Sequence, residues 1–158
     1  MWNQCVVRTR RQIAAPSANG LIVDIFLLSY IRDVEWEIEF TDEFERWWNG
    51  LSEDEQVSVD SAVRLLAMVG PTLRYPYSSG VNGSRHSRMR ELRVQHEGRP
   101  YRVLYAFDSR RIALLLVAGD KTGNERWYEE NVPLADRLYD EHLAVLEKEG
   151  LSHGEEVP

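Results

Sequence analysis

The stretch "MRELRVQHEGRPYRVLYAFDSRRIALLLVAG" (89–119) decides the fold. Three runs rich in β-branched, aromatic and aliphatic residues, 89–95, 101–107 and 112–119, are parted by turn signals at Gly98 with Pro100 and at Asp108–Arg111. Connections this short join neighbouring strands antiparallel, so the segment predicts a three-stranded meander. "IALLLVA" (112–118) is apolar throughout, which predicts a central strand buried on both faces.

Upstream, "EWEIEF" (35–40) alternates Glu35, Glu37 and Glu39 with Trp36, Ile38 and Phe40, the period of a strand with one wet face. Thr41 and Asp42 offer an N-cap to a short helix over 43–51, which ends near Asn49-Gly50. Ser52 and Glu55 form a capping box that opens a helix over 53–69, stopped by Gly70-Pro71. Residues 70–84, rich in Gly, Ser, Pro and Asn, read as a loop. Downstream, Pro133 suits the first position of an amphipathic helix over 134–150 that Gly150 terminates. The expected fold is α+β: an antiparallel twisted sheet in the order β-α-α-β-β-β-α, with strand 35–40 at its edge. Trp36, Trp47 and Trp48 fall on core faces.

The 158 residues suit one domain, read as 34–150, with 151–158 as a tail. Residues 1–33 differ in composition and read as an N-terminal extension outside the domain, dispensable for folding, with Val34 a possible alternative start. Their apolar run "LIVDIFLLSYI" (21–31) is too short for a bilayer, which needs about 20 residues, and no small-x-small cleavage site follows it. A single cysteine, Cys5, excludes an internal disulfide, and no Cys/His cluster has zinc spacing. These features imply a reducing, cytoplasmic setting with no structural metal and no cofactor.

Charge is unevenly spread along a chain of net −7. Segment 34–70 holds ten acids and two bases, and 124–158 holds ten acids and three bases. Between them, 71–102 carries seven arginines (Arg74, Arg85, Arg88, Arg90, Arg93, Arg99, Arg102) against Glu91 and Glu97, a local +5. A basic strip between acidic shoulders can hold a polyanion by its local field, or its arginines can pair with those acids.

Alternation on the meander puts Arg90 and Leu92 on one face and Glu91 and Arg93 on the other. With Arg102 on the next strand and Lys121 just past the third, Arg93, Arg102 and Lys121 can converge on one patch backed by Trp127 and Tyr128. Cations can neutralise a phosphorane's extra charge, and aromatic rings can stack on splayed bases.

The ordered elements "MRELRV", "GRPYRVLYAFD", "IALLLVAGDKT" and "RWYEE", preceded by a strand and a helix pair, resemble the RelE/ParE superfamily of type II toxins, closest to its HigB-like branch, over about residues 34–149. The resemblance implies a RelE-like fold and a ribosome-dependent, metal-independent endoribonuclease that cuts messenger RNA by 2′-hydroxyl attack, arresting translation and growth. It implies as partners the ribosome, messenger RNA and a helix-turn-helix, HigA-like antitoxin through which the complex could reach operator DNA. Carried over, the catalytic positions are Arg93, Arg102, Lys121 and Tyr128. Arg85, His86, Arg88, Arg90 and Trp127 are RNA-binding, and the functional aromatic is Tyr128 or, one residue away, Trp127. Plainer readings stand beside these. Arg93 or Arg102 could bridge strands to Glu91, and His86 and His96 could be solvated loop histidines rather than proton carriers. The whole could be a ParE-like topoisomerase poison or a non-enzymatic docking module.

Overall fold

The four strands read from the sequence form in their expected places, but among the described residues the sheet they join has two more and is mixed. In a computed structural model the described residues are 35–151 together with Arg8–Thr9. The expectations for the rest of the N-terminal extension and for the tail beyond Leu151 fall outside them. The order is β1 (Arg8–Thr9), β2 (Glu37–Phe40), α1 (Asp42–Asn49), α2 (Glu53–Val69), a 3₁₀ turn (Gly70–Thr72), β3 (Ser78–Gly80), β4 (Arg90–His96), β5 (Arg99–Phe107), β6 (Ile112–Asp120) and α3 (Trp127–Lys148).

The meander β4-β5-β6 is antiparallel, and the sheet order is β1-β2-β6-β5-β4-β3. Glu97 and Gly98 make its first turn with φ of 47° and 78°, as a two-residue hairpin with left-handed backbone requires. Pro100 therefore lies inside β5 rather than in the turn. Three further corrections follow. β2 pairs with β6 in parallel, Phe40 beside Leu115, so the sheet is not wholly antiparallel. Alternation encodes which face a residue takes, not the direction of its strand. Ser78–Gly80, read as loop, pairs with β4 as a short edge strand; three small residues carry no periodic signal. Finally, α3 starts at Trp127, leaving Pro133 inside it. A missing N–H and ring clash cost a helix about 3 kcal/mol; burial of Trp127 and Val132 works against that cost.

The caps hold as read. Thr41 accepts from the Phe44 N–H, and Ser52 and Glu55 close a capping box. One face of the sheet packs Leu92, Val94, Tyr101, Val103, Tyr105 and Leu115 against Phe44, Val59, Val63 and Leu66 of α1 and α2. The other packs Leu104, Ala106, Leu114 and Leu116 against Trp127, Val132, Ala135 and Leu138 of α3. The sheet is thus the middle of three layers, and β6, apolar from Ile112 to Ala118, is buried over Ile112–Val117 as expected of a central strand. Glu39, expected on a wet face, is 5% exposed. It lies on the α3 side of β2, where Arg110 bonds it at 2.9 Å.

Candidate functional site

Register decides which of the arginines meet. Arg93 and Arg102 are cross-strand partners, and Arg102 in turn sits opposite Gly119. Both side chains, with Glu91, take the face that α3 covers. Like charges directly opposite repel, and Glu91 compensates them. Its carboxylate accepts from Arg93 Nη1 at 2.9 Å and lies 3.7 Å from Arg102 Nε. It also accepts from Ser79 Oγ at 2.8 Å and from the Tyr128 hydroxyl at 2.5 Å.

Glu91 and Arg102 are both 4% exposed. Arg102 Nη1 donates to the Tyr101 carbonyl at 2.9 Å, while its Nε has no hydrogen-bond partner among the described residues. An unsatisfied buried donor costs about 1–3 kcal/mol. Burial, then the Glu91 hydrogen bond and charge, raise the Tyr128 pKa against an opposing effect of Arg102, so the phenol stays protonated.

Local structure brings Lys121 and Tyr128 to this patch. The Lys121 N–H donates to the Pro100 carbonyl, tying the end of β6 to the start of β5. Its Nζ lies 5.0 Å from the Tyr128 ring centroid. Asn124 caps the turn that follows by accepting from the Arg126 N–H, and Tyr128 falls in the first turn of α3. Trp127 seats that turn. It is 4% exposed against Gly119, where a Cβ would come 2.7 Å from its indole nitrogen. Tyr128, half-buried beside Trp127, is therefore the accessible aromatic of the two.

Four of the predicted positions, Arg93, Arg102, Lys121 and Tyr128, come together. The predicted RNA-binding set does not. Arg90 takes the opposite face, donating to Ser78 Oγ and the Leu73 carbonyl. Arg85 and His86 face the acids of α3, with Arg85 Nη2 at 2.5 Å and His86 Nε2 at 2.7 Å from Asp140. The Arg85 hydrogen bond, more than that of His86, lowers the Asp140 pKa. Arg88 is exposed. His96 contacts Ser58 Oγ at 2.8 Å on the α2 side, and Arg99 binds Glu55 at 2.6 Å. Two of the strip's seven arginines, Arg85 and Arg99, are thus neutralised by acids distant in sequence. The plainer reading, a bridge from Arg93 or Arg102 to Glu91, holds for both arginines. Ser79 was missed, and no local signal showed that Ser79 and Tyr128 share the same carboxylate.

Among the described residues one group of metal-type donors occurs, Glu39, Asp108 and His142. Arg110 lies against it, 2.6 Å from Asp108 and 2.9 Å from Glu39, so its guanidinium supplies the counter-charge of both carboxylates. No described helix is long and apolar enough to cross a membrane.

Residues 46–140, which contain every member of the Glu91 cluster, match the family of phage-derived Gp49-like proteins (DUF891). The chain belongs to the Gp49-like family. Two Mycobacterium tuberculosis proteins are similar to this Gp49-like chain. One, named "Putative toxin HigB3", is 46% identical over 101 residues, 63% of this chain and 87% of its own length. The other, named "Putative toxin HigB2", is 43% identical over 103 residues, 64% of this chain and 51% of its own, so this chain spans about half of it. No solved structure matches.

Proposed function

We propose that this Gp49-like chain is the toxin of a type II toxin–antitoxin pair, a RelE/HigB-like endoribonuclease that cuts messenger RNA on the ribosome. The observation that carries the reading is Arg102, a buried cation whose Nε has no hydrogen bond among the described residues and only the Glu91 carboxylate 3.7 Å away. It is set opposite Arg93 on the face that holds Tyr128, whose ring Lys121 meets. A fold rarely retains a donor at that cost without a use for it, and an oxyanion is the ligand it fits. The names of the two mycobacterial relatives support the toxin class.

In the reaction the 2′-oxygen bonds to the adjacent phosphorus and the bond to the 5′-oxygen breaks, leaving a 2′,3′-cyclic phosphate and a 5′-hydroxyl end. Arg93, Arg102 and Lys121 stabilise the dianionic phosphorane, so the cations are supplied by side chains. The 2′-hydroxyl proton passes to the Tyr128 oxygen as the phenol proton passes to Glu91; the leaving oxygen takes its proton from the Lys121 ammonium. An antitoxin masks the strip until it is degraded, and the setting is the cytoplasm, where message and ribosome are.

A second reading, docking without cleavage, draws on Glu91 already neutralising two of the arginines. Purified chain incubated with message, with and without ribosomes, separates the two. Cyclic-phosphate ends with ribosomes present support cleavage, and intact message in both arms ends it.

A further inference from the structure

Among the described residues two aromatic rings stand exposed, Tyr75 at 74% and Tyr77 at 53%, in a protein that buries Tyr101, Tyr105, Trp127 and Tyr139. Both are tied to Arg93. Its guanidinium carbon lies 5.3 Å from the Tyr75 ring centroid, and its backbone N–H donates to the Tyr77 carbonyl at 2.8 Å. The same arginine reaches Glu91, so the rings adjoin the candidate phosphate site. They lead into β3, the outermost strand on that side of the sheet, and both stay largely exposed among the described residues.

The surroundings also suit a polyanion. Residues 70–89 contain no acid, and besides Arg85, which Asp140 holds, they contain Arg74 and Arg88, in a chain of net −7. An edge with exposed rings, no carboxylate of its own and a neighbouring arginine is unsuited to a partner segment of apolar side chains alone. It does suit a strand whose backbone is anionic and whose bases present π-faces.

We infer that Tyr75 and Tyr77 form a stacking platform for nucleobases of single-stranded RNA beside the phosphate held by Arg93 and Arg102. This rests on the RNA-cleaving reading above. Arg93 then serves both parts, its guanidinium lying between the Tyr75 ring and the phosphate. Stacking is indifferent to base identity, so the platform contributes affinity and register rather than sequence choice.

The test uses the full chain and a fluorescein-labelled single-stranded RNA decamer, with binding read by anisotropy across a salt series. Tyr75→Ala should weaken binding about 5- to 150-fold, the range for loss of one stacked base, with the salt slope unchanged. Tyr75→Phe and Tyr75→Trp should bind as the parent does, because the ring is kept. A decamer with an abasic position should lose affinity for the parent but no further affinity for Tyr75→Ala. Tyr77→Ala provides a second variant at an exposed position, and thermal melts confirm that each is folded. If the parent binds and cuts RNA while both alanine variants do so equally well, the platform is wrong and the cleavage reading survives. If the parent neither binds nor cuts RNA, with or without ribosomes, both fail. If the alanine variants keep RNA affinity and lose antitoxin affinity, the surface is a protein interface and the inference is overturned.

Discussion

Arg93 and Arg102 face each other across β4 and β5, and the carboxylate of Glu91 lies against both. Two like charges on neighbouring strands are tolerable only with such a partner, so the stability of the pair rests on one side chain.

Glu91→Gln keeps the shape of the side chain and removes its charge, leaving Arg102 buried and uncompensated. Breaking a buried pair from one side typically costs about 3–5 kcal/mol. The midpoint of urea unfolding should fall accordingly, and adding Arg93→Ala to Glu91→Gln should cost less than the sum of the two changes. Additive effects would show that Glu91 and Arg93 do not interact.

If the cluster stabilises a developing phosphorane, loss of one donor removes about 10²–10³ in rate. Arg93→Ala and Lys121→Ala should therefore abolish growth arrest on induction while circular-dichroism melts stay cooperative. Arg102→Lys, which retains charge but not the planar fork, should also be inactive. Arg88→Ala, outside the cluster, should remain toxic. Full toxicity of Arg93→Ala and Arg102→Lys together would place the chemistry elsewhere.

Tyr128→Phe keeps the ring over Lys121 and loses the hydroxyl that donates to Glu91. RNA affinity should change by less than about threefold while cleavage falls by about 10²-fold or more. Equal losses in both would assign Tyr128 to binding alone.

Glu55 predicts an acid limb. The Tyr101 hydroxyl, then the Ser52 backbone N–H, hold its carboxyl at about 2, below the ordinary 4.5. Between those values the unfolded chain binds the proton and the folded one does not. The contribution to stability is therefore complete above about pH 4.5 and is lost as the pH falls towards 2. Melting temperature followed from pH 5 to pH 2 should drop less in Glu55→Gln than in the parent; parallel curves would rule Glu55 out as the cause.

Gly119→Ala should couple packing to function. A Cβ there would stand 2.7 Å from the Trp127 indole nitrogen, and Trp127 precedes Tyr128 in the first turn of α3. Overpacking of this kind costs about 1–3 kcal/mol. Unfolding midpoint and cleavage should fall together, with a changed near-ultraviolet spectrum from Trp127. An unchanged spectrum would mean the turn accommodates the methyl group elsewhere.

Much of this protein was determined locally and could be read from its sequence. The meander, the capping box of Ser52 and Glu55, the apolar central strand and the face shared by Glu91 and Arg93 follow from periodicities of two and 3.6 and from turn chemistry. These act within a few residues. The tertiary structure alone decided the parallel pairing of β2 with β6, the pairing of Ser78–Gly80 with β4 and the start of α3 at Trp127. It also decided which arginines are taken by acids: Arg85 by Asp140, Arg99 by Glu55, and Arg93 with Arg102 by Glu91. Strand direction and ion pairing depend on groups that folding brings together from 44 or 55 residues apart, as at Arg99–Glu55 and Arg85–Asp140. An alternating pattern states which side of a strand a charge takes; only packing across the sheet supplies the charge that meets it.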